Sequence, residues 1–408
     1  MIHLPCQKNA EDVFVEVEHS QICKYGERSA GDVFTSEKNQ NDGRIILTLS
    51  DGLGSGVKAN VLASLTATMA TKCIAANIPA KHVTETIMNM LPVDSVRGIS
   101  YATFTTVDIE VDGTVHIIEY DNPPYFLVRQ NECIELQKEK TEFTRKNKKT
   151  APKVKLSLCY STYKAKVGDR LIFFSDGVTQ SGIGYGNLTQ GWELKNISQY
   201  ILKLIQSKHD ISARELSQAI VKKACTNDLS LPKDDISCGV VYFRKPRYLL
   251  VISGPPQDKR NDKAIASIFT QFEGKKVIAG GTTSNIIARM LDKKIQACYN
   301  VSSSSEVPPY SKMEGADLVC EGIITLDSVC HILENASEKD THTSEDAATI
   351  LARLLVNSDR IYFVVGTTIN VSNKANEYEE QEIRHTIIKK ISYLLKNIYL
   401  KDTYIHYI

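Results

Sequence analysis

The stretch RIILTLSDGLGSGVKANVLAS, residues 44–64, decides how this chain is read. Its first half is an apolar run with the length of a central strand, and its second half, from Val57, has the alanine content and spacing of a helix. Between them Asp51 stands at the lip of the strand, followed by Gly52, Gly54 and Gly56. A strand fixes the backbone of its last residue, so a carboxylate there projects in a defined direction. Glycines beside it remove side chains and let other backbone come close. Alone, an Asp-Gly step is only a turn signal.

The construction recurs. GDRLIFFSDGVTQSG, residues 168–182, is a second apolar strand ending in Asp-Gly, at Asp176. Asp32 in SAGDVF and the Asp234/Asp235 pair in PKDDISCGVV also abut apolar runs. Carboxylates gathered without compensating lysines repel one another unless a cation lies among them, and hard cations take oxygen donors. The aspartates are therefore candidate ligands, and Gly52 can offer its carbonyl oxygen.

Around these sites DVFVEVEHS (12–20) alternates as a half-buried strand, and YATFTTVDIE, GTVHIIEYDNPPYFLVRQ and CIELQ form a meander with turns at DG, DNPP and QNE. AKHVTETIMNML, ISQYILKLIQ and SARELSQAIVKKAC read as helices, DDISCGVVYFR as a closing strand, and the basic segment 138–153 as a solvated loop. Strands with helices inserted in pairs predict an α+β sandwich. Near Lys245 the pattern changes. RYLLVISG, KKVIAGGTTSNIIARML, ADLVCEGIITLDSVCHIL, DAATILARLL and DRIYFVVGTTIN alternate short strands with helices, which predicts a smaller three-layer α/β domain with a parallel sheet over 246–408. Its glycine-rich turns suit a parallel sheet, and Gly280, Gly281, Thr282, Thr283 and Ser284 are also a candidate loop for a small phosphorylated or nucleotide ligand, though without the Lys of a P-loop or the spacing of GxGxxG.

The 408 residues suit two domains at roughly 150 residues each. With 42% hydrophobic and 24% charged residues the chain is globular, and a net charge of +1 gives no global field for nucleic acid or an anionic membrane. The start lacks the pattern of a signal peptide and no run approaches a membrane span, so the expected location is the cytoplasm. Ten cysteines never form CxxC, and they read as reduced core residues. The oligomeric state is left open, a dimer included.

Taken together, GD near the start, DGLGSG at a strand-to-helix turn, GDRLIFFSDGVTQ after a meander and DDIS before a terminal strand resemble the metal-dependent protein phosphatases, the type 2C or PPM family, and within it the bacterial SpoIIE-like branch. The resemblance covers residues 1–245. It implies a β-sandwich flanked by helices with two Mn2+ or Mg2+ ions at one end. Asp51 would bridge both ions, the Gly52 carbonyl would bind the first, Asp176 and Asp234 the second, and Asp32 would act from the outer shell; Asp235 stands where relatives often carry Asn, so either member of the pair can be the ligand. The implied reaction is hydrolysis of protein phosphoserine and phosphothreonine by activated water, in bacterial signalling. Relatives with a histidine close after the bridging aspartate differ from this chain, which has Leu53 and Ser55 there and no assigned general acid. Arg28 lies near where some relatives bind phosphate, and the helix from Val57 reads both as a packing element and as a switch. The rival is a pseudophosphatase that binds a phosphoprotein, regulated by the C-terminal domain. Glu321 is the closest candidate for separate chemistry in that domain.

Overall fold

The computed structural model describes residues 12–39, 42–90, 102–144, 155–186, 188–298, 308–335, 346–367 and 374–408. They fall into two compact units, Val15–Arg244 and Lys245–Ile408, with residues 12–14 grouped with the second.

The first unit contains strands β1 (Phe14–Ile22), β2 (Val33–Lys38), β3 (Ile45–Gly52), β4 (Ala102–Ile109), β5 (Thr114–Tyr120), β6 (Phe126–Arg129), β7 (Glu132–Ile134), β8 (Glu139–Thr144), β9 (Lys155–Lys164), β10 (Arg170–Phe174) and β11 (Ile236–Arg244). Its helices are α1 (Gly56–Ala75), α2 (Ala80–Met90), α3 (Asp176–Thr179), α4 (Leu194–Ser207) and α5 (Ala213–Asn227). One sheet runs β1-β11-β10-β6-β7 and the other β2-β3-β4-β5-β9-β8.

Alternation along the strands builds the layers. Ile45, Leu47 and Leu49 of β3 meet Leu171 and Phe173 of β10 and Val241 and Phe243 of β11 between the sheets. Ile46, on the opposite face of β3, packs with Ala70, Ile74, Val83 and Ile87 of α1 and α2. Ile172 and Phe174 of β10 pack with Ile197 and Ile201 of α4 and Leu216 and Ile220 of α5. The result is helix, sheet, sheet, helix.

The α1 face of β3 also carries hydroxyls. Thr71 of α1 donates to Thr48 Oγ1 at 3.0 Å, Thr48 shares a hydrogen bond with Thr106, also 3.0 Å, and Thr71 lies 2.9 Å from Thr35 Oγ1. This buried chain fixes α1 on the sheet. Thr71→Val keeps the shape and removes the central hydroxyl, so it is expected to lower stability by about 1–2 kcal/mol. Urea unfolding read as a drop in midpoint at constant m-value checks it.

Part of the segment expected as a solvated loop is structured. Residues 139–144 form β8 and pair antiparallel with β9, Glu139 opposite Tyr160 and Thr144 opposite Lys155. The open edge of β9 supplies backbone partners to a polar stretch whose own pattern does not announce a strand. Residues 145–153 of that expectation lie outside the described residues.

The second unit contains β12 (Tyr248–Ser253), α6 (Asp262–Gln271), β13 (Lys275–Ala279), α7 (Gly281–Leu291), β14 (Ile295–Ala297), β15 (Ser311–Met313), β16 (Leu318–Cys320), α8 (Ile323–Glu334), α9 (Ala347–Val356), β17 (Arg360–Val365), α10 (Lys374–Asn397) and β18 (Asp402–Tyr407). Its sheet order is β14-β15-β16-β13-β12-β17-β18. The strands from β16 to β18 are parallel, and β14 and β15 add an antiparallel edge. Leu249 and Val251 of β12 pack with Leu326, Leu351 and Ile388 of α8, α9 and α10, whereas Leu250 and Ile252 pack with Ile265 and Ile287 of α6 and α7. Both faces are thus covered, as the apolar strand composition requires of a parallel sheet. Tyr248 and Arg360 of this unit both donate to the Asp12 carboxylate.

The nine described cysteines are free; Cys238, Cys320 and Cys330 are buried, whereas Cys133 is exposed. Cys6 lies outside the described residues. Among the described residues no helix is long and apolar enough to cross a membrane.

Candidate metal centre

Strand pairing brings the aspartates together from two sheets. In one sheet Val33 of β2 stands opposite Ser50 of β3, which sets Asp32, one residue before Val33, beside Asp51, one residue after Ser50. In the other, Phe174 of β10 faces Cys238 of β11. Beyond that pair the Ser175 amide donates to the Ser237 carbonyl (3.0 Å) and the Ser237 amide to the Ser175 hydroxyl (3.1 Å), so Asp176 and the Asp234/Asp235 pair emerge side by side.

Asp235 ties the sheets to each other. Its Oδ1 accepts the Lys24 amide at 2.9 Å and its Oδ2 accepts the Gly31 amide at 2.6 Å. Asn60 of α1 holds the same loop by donating to the Ala30 carbonyl at 2.7 Å. Asp234 Oδ1 accepts the Asp235 amide at 3.0 Å, and the charge on Asp176 acts on its carboxyl group.

Both glycines that follow a strand-end aspartate are required by close approach. A Cβ on Gly52 would lie 2.4 Å from the Ala59 carbonyl oxygen, and one on Gly177 only 2.1 Å from the Asp235 carbonyl oxygen.

Four carboxyl groups at the centre, those of Asp32, Asp51, Asp176 and Asp234, resist ionisation. Burial pushes Asp32 up to about 7, with the charges of Asp235 and Asp176 adding to it; the Ser237 and Ser175 hydroxyls act the other way. Asp32 Oδ2 and Ser237 Oγ nevertheless complete no hydrogen bond. Asp51 is raised well above the carboxylate range by burial and then by Asp32, Asp176 and Asp234. Asp176 is raised by burial, against hydrogen bonds from Asp51 and Gln180, and Asp234 by burial and by Asp176, against the Lys24 charge. Interaction with Asp176 adds to the upward push on Asp51, and the same interaction acts downward on Asp176.

Among the described residues no three His, Cys, Asp or Glu side chains are drawn together as a finished metal cage. The donor set still fits a hard divalent cation in its chemistry. It is all oxygen and anionic, it converges from strand ends, and it holds a buried carboxylate oxygen with no partner.

The other residues singled out from the sequence lie as follows. Arg28 is exposed in the loop before Asp32, and the Ser55 hydroxyl donates to Glu27 at 3.2 Å just ahead of α1. Gly280, Gly281, Thr282, Thr283 and Ser284 belong to the second unit, at the β13–α7 junction. Glu321 accepts the Ile324 amide at 3.0 Å and so caps α8. Sequence reasoning missed Gln180, whose Nε2 donates to Asp176 Oδ2 at 2.7 Å; its spacing of four residues from Asp176, one helical turn, was the available signal. Asn60, Ser175 and Ser237 gave none.

No curated protein matches the chain. Among solved structures, the phosphatase domain of the cell fate determinant SpoIIE from Bacillus subtilis is 17% identical, with 57% of this chain and 93% of that one covered and a TM-score of 0.41. The RsbU and RsbW domains of a Mycobacterium tuberculosis protein are 14% identical, covering 63% of this chain and 68% of that one, with a TM-score of 0.42. A serine/threonine phosphatase of S. agalactiae is 16% identical, covering 56% and 99%, with a TM-score of 0.39. The family described as Stage II sporulation protein E (SpoIIE) matches residues 41–244, the span from β3 to β11 that carries Asp51, Asp176, Asp234 and Asp235. With that match spanning half of its length, the chain belongs to the SpoIIE family.

Proposed function

We propose that this protein is a phosphoserine/phosphothreonine protein phosphatase of bacterial signalling that works with two divalent cations, Mn2+ or Mg2+. The observation that carries the reading is the convergence of Asp32, Asp51, Asp176 and Asp234, each with its carboxyl group pushed up by burial and, for Asp32, Asp51 and Asp234, by neighbouring aspartates as well. Asp51, Asp176, Asp234 and the Gly52 carbonyl would hold the ions; Asp235 is a further donor, although backbone amides already engage both of its oxygens. Bound divalent cations supply acidity to water and positive charge facing the phosphoryl oxygens.

The chain's own residues supply the positioning. Gln180 fixes the Asp176 carboxylate, and Asp235 holds the loop that carries Asp32. Asp32, with Oδ2 unpartnered, orients the attacking water and takes its proton. Arg28, exposed four residues ahead of Asp32, meets the phosphate of the phosphoprotein. Cys23, which lies near the cluster, is a poor rival nucleophile, since burial and the Asp235 charge push it further towards the neutral form. Because Asn60 links α1 to the Asp32 loop, and α1 exposes Val57, Val61 and Leu65 outward, a partner that shifts α1 would shift Asp32 with it.

The test is hydrolysis of p-nitrophenyl phosphate and of a phosphoserine peptide by the full chain. Turnover with Mn2+ or Mg2+, loss in EDTA and recovery on adding the metal back are expected. Absence of metal-dependent turnover on both substrates refutes the reading.

A further inference from the structure

The parallel strands of the second unit end on one rim, and the chain reverses its direction of travel at β12, with β13 and β16 on one side and β17 and β18 on the other. In open parallel sheets ligands bind outside the carboxyl ends near such a reversal. The rim here is built of bare backbone. Gly254, after β12, and Gly280, after β13, have φ of +86° and +141°, and a Cβ on Gly280 would lie 3.3 Å from Thr283 Oγ1 and 3.9 Å from the Gly254 amide nitrogen. Gly281, the first residue of α7, has open space where a side chain would stand.

Donors of three kinds face this rim. The Ser284 amide makes the return bond to the Gly280 carbonyl at 3.0 Å, which leaves the amides of Gly281, Thr282 and Thr283 as the unpaired donors at the positive end of an eleven-residue helix. Thr283 Oγ1, on a side chain 1% exposed, and Ser253 Oγ, 0% exposed at the end of β12, are buried with no hydrogen-bond partner. A buried hydroxyl without a partner is costly, and Thr283 Oγ1, beside Gly280 in the first turn of α7, points to an acceptor that arrives with a ligand. Arg384 of α10 brings a positive charge, its Nη1 lying 2.8 Å from where a Cβ on Gly254 would be.

We infer that this rim binds the phosphate group of a small phosphomonoester. A phosphate has the several acceptor oxygens and the negative charge that amides, hydroxyls and a guanidinium together satisfy. The Ser284 hydroxyl stays outside the set, since it donates to the Gly281 carbonyl at 2.8 Å.

Titration of the full chain with inorganic phosphate, AMP and ribose 5-phosphate tests this, by calorimetry in EDTA at matched ionic strength. Saturable binding of phosphate and of at least one ester is expected; tighter AMP makes the ligand a nucleotide and tighter ribose 5-phosphate a sugar phosphate, and either upholds the site. Gly281→Asp fills open space and puts a carboxylate where a helix start favours one, so the circular dichroism spectrum and melting temperature should persist while phosphate binding disappears. Thr283→Val should weaken binding about tenfold. No saturable phosphate binding by the wild type, binding of inorganic phosphate with exclusion of both esters, or unchanged affinity in folded Gly281→Asp would overturn the inference.

Discussion

Asp51→Asn should abolish metal-dependent phosphate release, by about a thousandfold or more, and at the same time stabilise the metal-free protein. On the proposed reading activity falls because Asp51 is the carboxylate on which Asp32, Asp176 and Asp234 all act, so its charge would be the one that most ties a cation to both sheets. Stability rises for the same reason. With its pKa raised in the folded state, Asp51 contributes fully to stability only at pH values below its ordinary pKa near 4, and that contribution is lost as pH climbs towards the folded value. Asparagine has no proton to hold and no charge to bury, so at neutral pH the metal-free variant should gain about 1–2 kcal/mol. Asp32 titrates in the same direction, up to about 7, so metal-free wild type should melt progressively lower between pH 4 and 7, and the variant less steeply. Adding Mn2+ should raise the wild-type melting temperature by mass action and leave that of the variant where it was. A variant that melts below wild type without metal, or that still responds to Mn2+, would remove Asp51 from the centre.

How far the sequence reveals this arrangement depends on what each residue's local pattern can express. Asp51 and Asp176 stand out because an apolar strand, an aspartate and a glycine occur in immediate succession, and the strand fixes where each carboxylate goes. The two neighbours Asp234 and Asp235 are not separable in this way. Adjacent side chains on an extended segment point in opposite directions, and only the positions of Lys24 and Gly31, more than 200 residues earlier, show that Asp235 binds backbone amides of the loop between β1 and β2. Edge strands were hidden for a different reason. The three-residue β14 and β15 and the polar β8 are strands because a neighbouring edge offers partners, and composition does not record an edge. In the second unit the alternation of strands and helices was plain, yet the side on which each crossover returns is set by packing. The reversal at β12, and with it the meeting of Gly254, Gly280 and Arg384, therefore exists only in three dimensions.

Gly177→Ala should lower stability by about 3 kcal/mol or more and dismantle the cation response. Replacing a glycine at a compatible site commonly stabilises a protein by about 0.4–1 kcal/mol through the unfolded chain, so the sign here rests on sterics alone. The new methyl would lie 2.1 Å from the Asp235 carbonyl oxygen and 3.0 Å from the carbon that bears it. Those atoms lead into β11, which is buried along its whole length and paired with β10, so they have little room to retreat. Two relaxations remain. If the first turn of α3 lifts away, Asp176 moves with it and loses its alignment with Asp51. If Asp235 is pushed aside, the Gly31 and Lys24 amides lose their acceptor and the loop holding Asp32 loosens. Either route separates the carboxylates contributed by one sheet from those of the other. Urea unfolding of the metal-free variant, followed by Mn2+ titration of its melting temperature, reads both effects. Stability within about 0.5 kcal/mol of wild type with a full Mn2+ response would mean that the contact between α3 and β11 is not what holds the two halves of the centre in register.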